Sequence, residues 1–214
     1  MARRGRSRKK KPFLIGRRGA FTLKLESVEI TRGHDGFLRG NPEPTLLLAA
    51  LGLSPGRTCL LSRALRRLVV TTPFPATVQP EEPVLFRVEL PGGYPRVALL
   101  GLAVEEDRGD DVEALYSALG QTDALDAWTL GTELPEPHGL DELADAPPTP
   151  PPEASRVHLL RDGVHLGDAC RHDTWIGAAL VLLAADQPAH RRWRLPFLSA
   201  DGRNDWSANL RITG

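Results

Sequence analysis

FTLKLESVEITRGHDGFLRGNPEPTLLLAALGL, running from Phe21 to Leu53, is the stretch that decides the fold. Phe21, Leu23, Leu25, Val28 and Ile30 form the apolar face of a strand, with a slip near Ser27 where the period of two breaks. A polar, glycine-rich loop follows, Gly33 to Gly40, carrying His34 and Asp35. Pro42 and Pro44 then bracket Glu43. Proline has no amide hydrogen to give to a ladder, so the second strand, Thr45–Leu53, must begin after Pro44 or lie at an edge. Strand, loop and strand in this order open an all-β sandwich with a loop-borne site at one end.

Working outward, Thr58–Thr72 is ambiguous. Leu61, Leu65 and Leu68 fit a helix, while the β-branched end, Leu68–Thr72, favours a strand. Val84–Leu90 alternates cleanly and Arg96–Glu105 is mostly apolar. With the turn Pro91–Pro95 between them they predict a hairpin. The character changes at Glu106. Asp110 is placed to cap a helix over Asp111–Leu119, with Val112, Leu115, Tyr116 and Leu119 on one face and Gly120 ending it. Residues 121–146 are acidic and weakly periodic, and the run PPTPPP at 147–152 reads as an extended spacer. The remaining chain, about 60 residues, is marginal as a folding unit of its own. Residues 107–169 are therefore expected to be a helical and proline-rich insertion into one sandwich spanning 20–214. Beyond the spacer, Arg156–Leu160 and Val164–Leu166 flank a hairpin signal at Asp162-Gly163. Ile176–Ala185, Trp193–Leu198 and Trp206–Thr213 supply the last strands.

Composition agrees: 19 prolines and 20 glycines in 214 residues favour a loop-rich β protein over a helical bundle. The zero net charge hides an asymmetry. Arg3, Arg4, Arg6, Arg8, Lys9, Lys10, Lys11, Arg17 and Arg18 face no acid within residues 1–18, which leaves 18 basic against 27 acidic side chains, about −9, for the rest. Residues 1–19 have too little apolar surface to offset chain entropy, so a disordered basic arm is expected. Such an arm suits anionic lipid heads, an acidic protein surface (another copy's included) or, non-specifically, nucleic-acid phosphates. It lacks the interleaved aromatics that stack on bases. Cys59 and Cys170 are too few for a disulfide framework and are expected as free, buried thiols. The apolar patch Phe13–Gly16 is shorter than the roughly 7–15 residues of a signal-peptide core. The longest apolar run, Ile176–Ala185, falls short of the roughly 20 residues of a spanning helix. A cytoplasmic protein is expected, peripheral at a membrane if it meets one.

The order of these segments resembles a C2 domain, an eight-stranded antiparallel sandwich found in many membrane-docking proteins. The resemblance is carried by ITRGHDGFLRGNPEPTLLLAAL at the opening and by VLFRVEL and RVALLGLAVEED in the middle. HDTWIGAALVLL echoes the acidic loop and the strand after it, and WRLPFLSADG and WSANLRITG echo the close. It covers residues 20–106 and 170–214 in outline. A second registration would use EEDRGDDVEALYSAL as the acidic loop. IGAALVLL reads better as a strand than VEALYSAL, so the first is preferred. Asn41-Pro42-Glu43 stands where such domains carry an aspartate beside proline, and Glu105, Glu106 and Asp107 stand where they carry an aspartate pair.

The resemblance implies that Asp35, Glu43, Glu106, Asp107 and Asp173 converge at one loop end. Calcium, which takes six to eight oxygens, is an optional ligand there, and no cofactor is required. The alternative for these residues is a solvated acidic rim. Phe37 and Leu38 in the first loop, and Trp175 beside Asp173, would be apolar tips docking on a membrane interface or a partner; for Trp175 a core position is the competing reading. Trp193 and Trp206, on strands, are expected as core or sheet-edge fillers. His158, His165, Cys170, His172 and His190 are zinc-type ligands, but their spacing matches no compact finger. His158 and His165 would share one side of their hairpin. No G-x-S-x-G, P-loop or G-x-G-x-x-G occurs, and Cys170 with His172 alone makes no active site. The expected function is non-catalytic: an adaptor or recruitment module docking its loop end on an anionic membrane or a protein partner. The alternatives are a self-assembling homo-oligomer whose basic arm binds the acidic surface of the next copy and, with no motif in its favour, a small metal-dependent hydrolase.

Overall fold

The structure, a computed structural model, describes residues 20–33, 43–89, 94–107, 109–121, 128–131, 138–139, 155–161, 164–184 and 190–213. Strand β1 (Ala20–Arg32) buries Phe21, Leu23, Leu25, Val28 and Ile30. Its register against the last strand shifts between Leu25 and Ser27. The slip read in the sequence is thus a bulge, one extra residue that restores the inward face at Val28. Strand β2 (Pro44–Ser54) begins on the proline itself and is buried at each of its first ten positions. The Pro44 carbonyl accepts the Leu68 amide at 2.9 Å. The ambiguous segment that follows is a strand, β3 (Arg57–Arg67). It stops where the β-branched run starts, so tertiary pairing with β2 decided its form rather than local propensity.

The predicted hairpin at Val84–Glu105 does not form. Strand β5 (Val84–Glu89) pairs with β1, whereas β6 (Arg96–Glu105) pairs with β2, so the connection crosses from one sheet to the other. The reason lies in the two patterns. β5 alternates between buried and exposed positions and suits a sheet with one wet face. β6 is buried at nine of its ten positions and suits the middle of a sheet covered on both sides.

Two antiparallel sheets result, the all-β sandwich-like architecture expected, with more strands than eight. The five-stranded sheet runs β12 (His190–Leu198), β13 (Asp205–Thr213), β1, with β4 (Ala76–Val78) and β5 both on the far edge of β1. The eight-stranded sheet runs β3, β2, β6, β11 (Thr174–Ala184), β9 (Ser155–Arg161), β7 (Trp128–Gly131), β8 (His138–Gly139). Its eighth strand, β10 (Val164–His165), pairs antiparallel with β9, as the hairpin signal in the sequence indicated. The described elements within residues 107–169 are helix α1 (Asp110–Leu119), β7 to β10 and the short helix α2 (Leu166–Ala169). The basic arm, the spacer at 147–152 and most of the first loop lie outside the described residues.

The main core fills the space between the sheets, and Trp193, Leu195, Phe197 and Trp206 from the five-stranded sheet meet Leu46, Leu48, Leu99 and Val181 from the other. A Cβ on Gly101 would come within 2.7 Å of Leu195 Cδ1, so glycine there lets the large side chains of β12 reach β6. A second apolar cluster lies on the opposite face of the eight-stranded sheet. There Leu47, Leu51, Leu100 and Leu102 are covered by Val112, Leu115, Ala118 and Leu119 of α1.

Candidate functional site

Four of the five residues expected to converge, Glu43, Glu106, Asp107 and Asp173, lie at one corner, where β2 begins, β6 ends and α1 starts. Asp35 lies outside the described residues, as do Phe37, Leu38 and the nine residues of the basic arm. Glu43 is exposed just before β2, and its carbonyl accepts the Glu106 amide at 3.1 Å. Asp107 is exposed, and its amide donates to Asp173 Oδ1 at 2.9 Å.

Asp173 sits at the centre, 5% exposed. Its Oδ1 accepts the amides of Asp107 and Gly109, and its Oδ2 those of Asp111 and Val112, at 2.9 to 3.2 Å. These include orphan donors at the N-terminus of α1, the positive end of the helix dipole. The sequence suggested that Asp110 would cap the helix. Asp110 is instead its first residue, the N-cap is Gly109, and the capping carboxylate arrives from β11's entry loop. Gly109 has φ +83°, and a Cβ there would lie 2.5 Å from Glu106 Oε1, so only glycine fits the turn.

The exchange is reciprocal. Asp111 Oδ2 accepts the amides of Arg171, His172 and Asp173 at 2.8, 2.6 and 2.9 Å. Burial works to raise the Asp111 carboxyl, but the amides of His172, Asp173 and Arg171 together outweigh it and hold the group below its ordinary range. Beside this pair, Glu106 accepts the Thr45 hydroxyl at 2.9 Å and Arg67 Nε at 2.7 and 2.9 Å, and Arg67 Nη2 reaches Glu113 at 2.7 Å. Hydrogen bonds donated to Glu106 first and to Glu113 second raise the Arg67 guanidinium further. At the other end of α1, Arg63 of β3 donates to the carbonyls of Tyr116 and Ser117 and lies 4.1 Å above the Tyr116 ring. The helix therefore has an anion at its positive end and a cation at its negative end, both supplied from elsewhere.

This wiring bears on what the corner can do. The oxygens of Asp173 face backbone amides, and those of Glu106 face a hydroxyl and a guanidinium. Among the described residues, no group of three or more His, Cys, Asp or Glu is arranged to hold a metal ion. Of the zinc-type residues, His158 and His165 come together, Nδ1 to Nε2 at 3.4 Å. His172 is exposed on the amide-bearing loop. Cys59 and Cys170 are free thiols, each half-buried rather than buried as expected. Burial first, then the charges of Asp111 and Asp173, push the Cys170 thiol up to about 12, so it stays protonated and is no nucleophile beside His172.

Trp175 is half-buried on β11, packed on the second apolar cluster and edge-on to His165, rather than standing free as a tip. Trp193 and Trp206 are buried, as expected. Sequence reading passed over Thr45, Arg63 and Arg67 and gave Asp111 only a place at the helix start. Its one usable signal was the pairing of two acidic loop motifs, DRGDD and HDT. No protein-family model, no curated protein and no solved structure matches the chain.

Proposed function

We propose that the chain is a non-catalytic, C2-like adaptor that docks on an anionic surface, of a membrane or of a protein partner. The observation that carries the reading is the closure of the acidic corner. Asp173 and Glu106, the most enclosed of the carboxylates a cation would use, are engaged by four amides, Thr45 and Arg67. A corner so engaged is a rigid mount for the Gly33–Gly40 loop, and its docking needs no calcium. The C2-like part is supported by strand distribution. The six segments that carry the resemblance fall on β1, β5, β12 and β13 in one sheet and on β2, β6 and β11 in the other. Attraction comes from the basic arm, each Lys or Arg near an anionic surface adding about 1 kcal/mol, and apolar contact from Phe37 and Leu38.

Sedimentation with vesicles tests this. The full chain should pellet with phosphatidylcholine–phosphatidylserine vesicles equally with calcium and with chelator, should not pellet with phosphatidylcholine alone, and should lose binding when Phe37 and Leu38 are changed to Ser. Absence of pelleting in every condition would remove the membrane form of the proposal, and a strict calcium requirement would remove the account of the corner.

A further inference from the structure

Outside the acidic corner, the most defined polar arrangement is the histidine pair on the β9–β10 hairpin. His158 Nδ1 lies 3.4 Å from His165 Nε2. His165 is also the N-cap of α2, and its other ring nitrogen, Nδ1, accepts the Gly167 amide at 3.0 Å. A neutral imidazole carries one proton. Because Nδ1 of His165 accepts, that proton sits on Nε2. Nε2 is then a donor and His158 Nδ1 its acceptor. The two contacts fix the tautomer of both rings, and both need neutral rings. A proton added to His165 goes to Nδ1 and confronts the Gly167 N–H. A proton added to His158 Nδ1 confronts the Nε2–H of His165. Either addition turns a donor–acceptor contact into two opposed donors. The same tautomer disfavours a metal between the rings, since coordination at His165 Nε2 would move its proton to Nδ1 and dislodge Gly167.

The cap is one end of a continuous run. Cys170 closes α2 by donating to Leu166 at 3.3 Å, and the next three amides hold Asp111. Asp173, the last of them, caps α1. Other groups near the pair come from β9, α2 and β11. On β9, exposed Arg156 lies two residues from His158 on the same side. On α2, the Asp168 side chain is exposed. On β11, the Trp175 indole stands edge-on to His165 at 6.3 Å and does not titrate.

We propose that His158 and His165 form a proton-operated latch: neutral, the pair caps α2 and keeps residues 166–173 in the shape that seats Asp111; protonated, it releases the Gly167 amide and loosens that run. Protonation of the pair would thus act on the start of α1 from a distance.

Nuclear magnetic resonance on the full chain, titrated from about pH 8 to about pH 5, tests the latch. The Gly167 amide should move along one sigmoid that coincides with the ring carbons of His165. Exchange of the amides of residues 171–173, corrected for its intrinsic pH dependence, should speed up about two- to tenfold, the loss of one hydrogen bond. Asparagine is a good, non-titrating N-cap acceptor, so His165→Asn should abolish both effects. A His165 ring that titrates while the Gly167 amide stays still would overturn the proposal, and so would an Asn variant that keeps the wild-type titration.

Discussion

The outer faces of the two sheets are opposites. On the five-stranded sheet, Glu26 receives Arg192 at 3.0 Å and Arg211 at 3.6 Å, and Glu29 receives Arg194 and Asn209, each at 2.9 Å. Arg194 also reaches the Ser207 hydroxyl at 2.8 Å. That face is a polar lattice open to solvent. On the eight-stranded sheet, the corresponding face carries Leu47, Leu51, Leu53, Leu100, Leu102 and Val104, all fully buried, with α1 across them. One sheet is finished by water, the other by a segment of its own chain. A strand with one wet face must alternate, and a strand covered twice must not.

Three substitutions put numbers on this contrast. The largest effect is expected at Leu102, fully buried under α1. Leu102→Ala removes apolar contact and leaves a cavity, so urea unfolding should report a loss of about 2–5 kcal/mol. A loss under about 1 kcal/mol would mean that the helix does not seal that face.

Next comes Asp111, which ties the covering helix to β11. Its carboxyl is depressed in the folded chain, so the stability it adds is complete above the unfolded value of about 4 and disappears as pH falls through the lower folded value. Asp111→Asn should lose about 1–3 kcal/mol at neutral pH. It should also show a flatter decline than the wild type between about pH 5 and about pH 2. Parallel acid limbs in urea titrations would assign the acid sensitivity to other groups.

The smallest effect belongs to the wet face. Arg194, with 60% of its side chain exposed, should lose about 0–1 kcal/mol on change to Ala, and the difference should shrink in high salt. A loss rivalling that at Leu102 would make the lattice a structural seam rather than a solvated surface.

Much of this contrast was legible in the chain. The alternation of β1 and its bulge at Glu26 came directly from the spacing of Leu25 and Val28. The second apolar face was also written there, in the unbroken run Thr45–Leu53, but an apolar run says only that both sides are covered and not by what. The β5–β6 hairpin was misread because closeness in sequence suggests pairing, whereas each strand's burial pattern assigned it to a different sheet. The corner was half legible. Its acidic residues stood out, yet the partners that give them their roles are far away in sequence: Asp173 caps a helix 61 to 64 residues upstream, and Arg67 reaches Glu106 across 39 positions. Local propensity named Asp110 as the cap because it cannot see a carboxylate that folding delivers.

The reciprocal grip of Asp111 and Asp173 has a consequence for how the chain can change over generations. The two residues are 62 positions apart in sequence, yet each carboxylate holds the other's backbone. The polypeptide leaves and returns at one clasp. Lengthening a loop already closed at its base adds only about 0.6 kcal/mol of entropy per doubling. A change in the length of the chain between the two residues is therefore cheap at the clasp itself, which stays closed whatever is gained or lost beyond it.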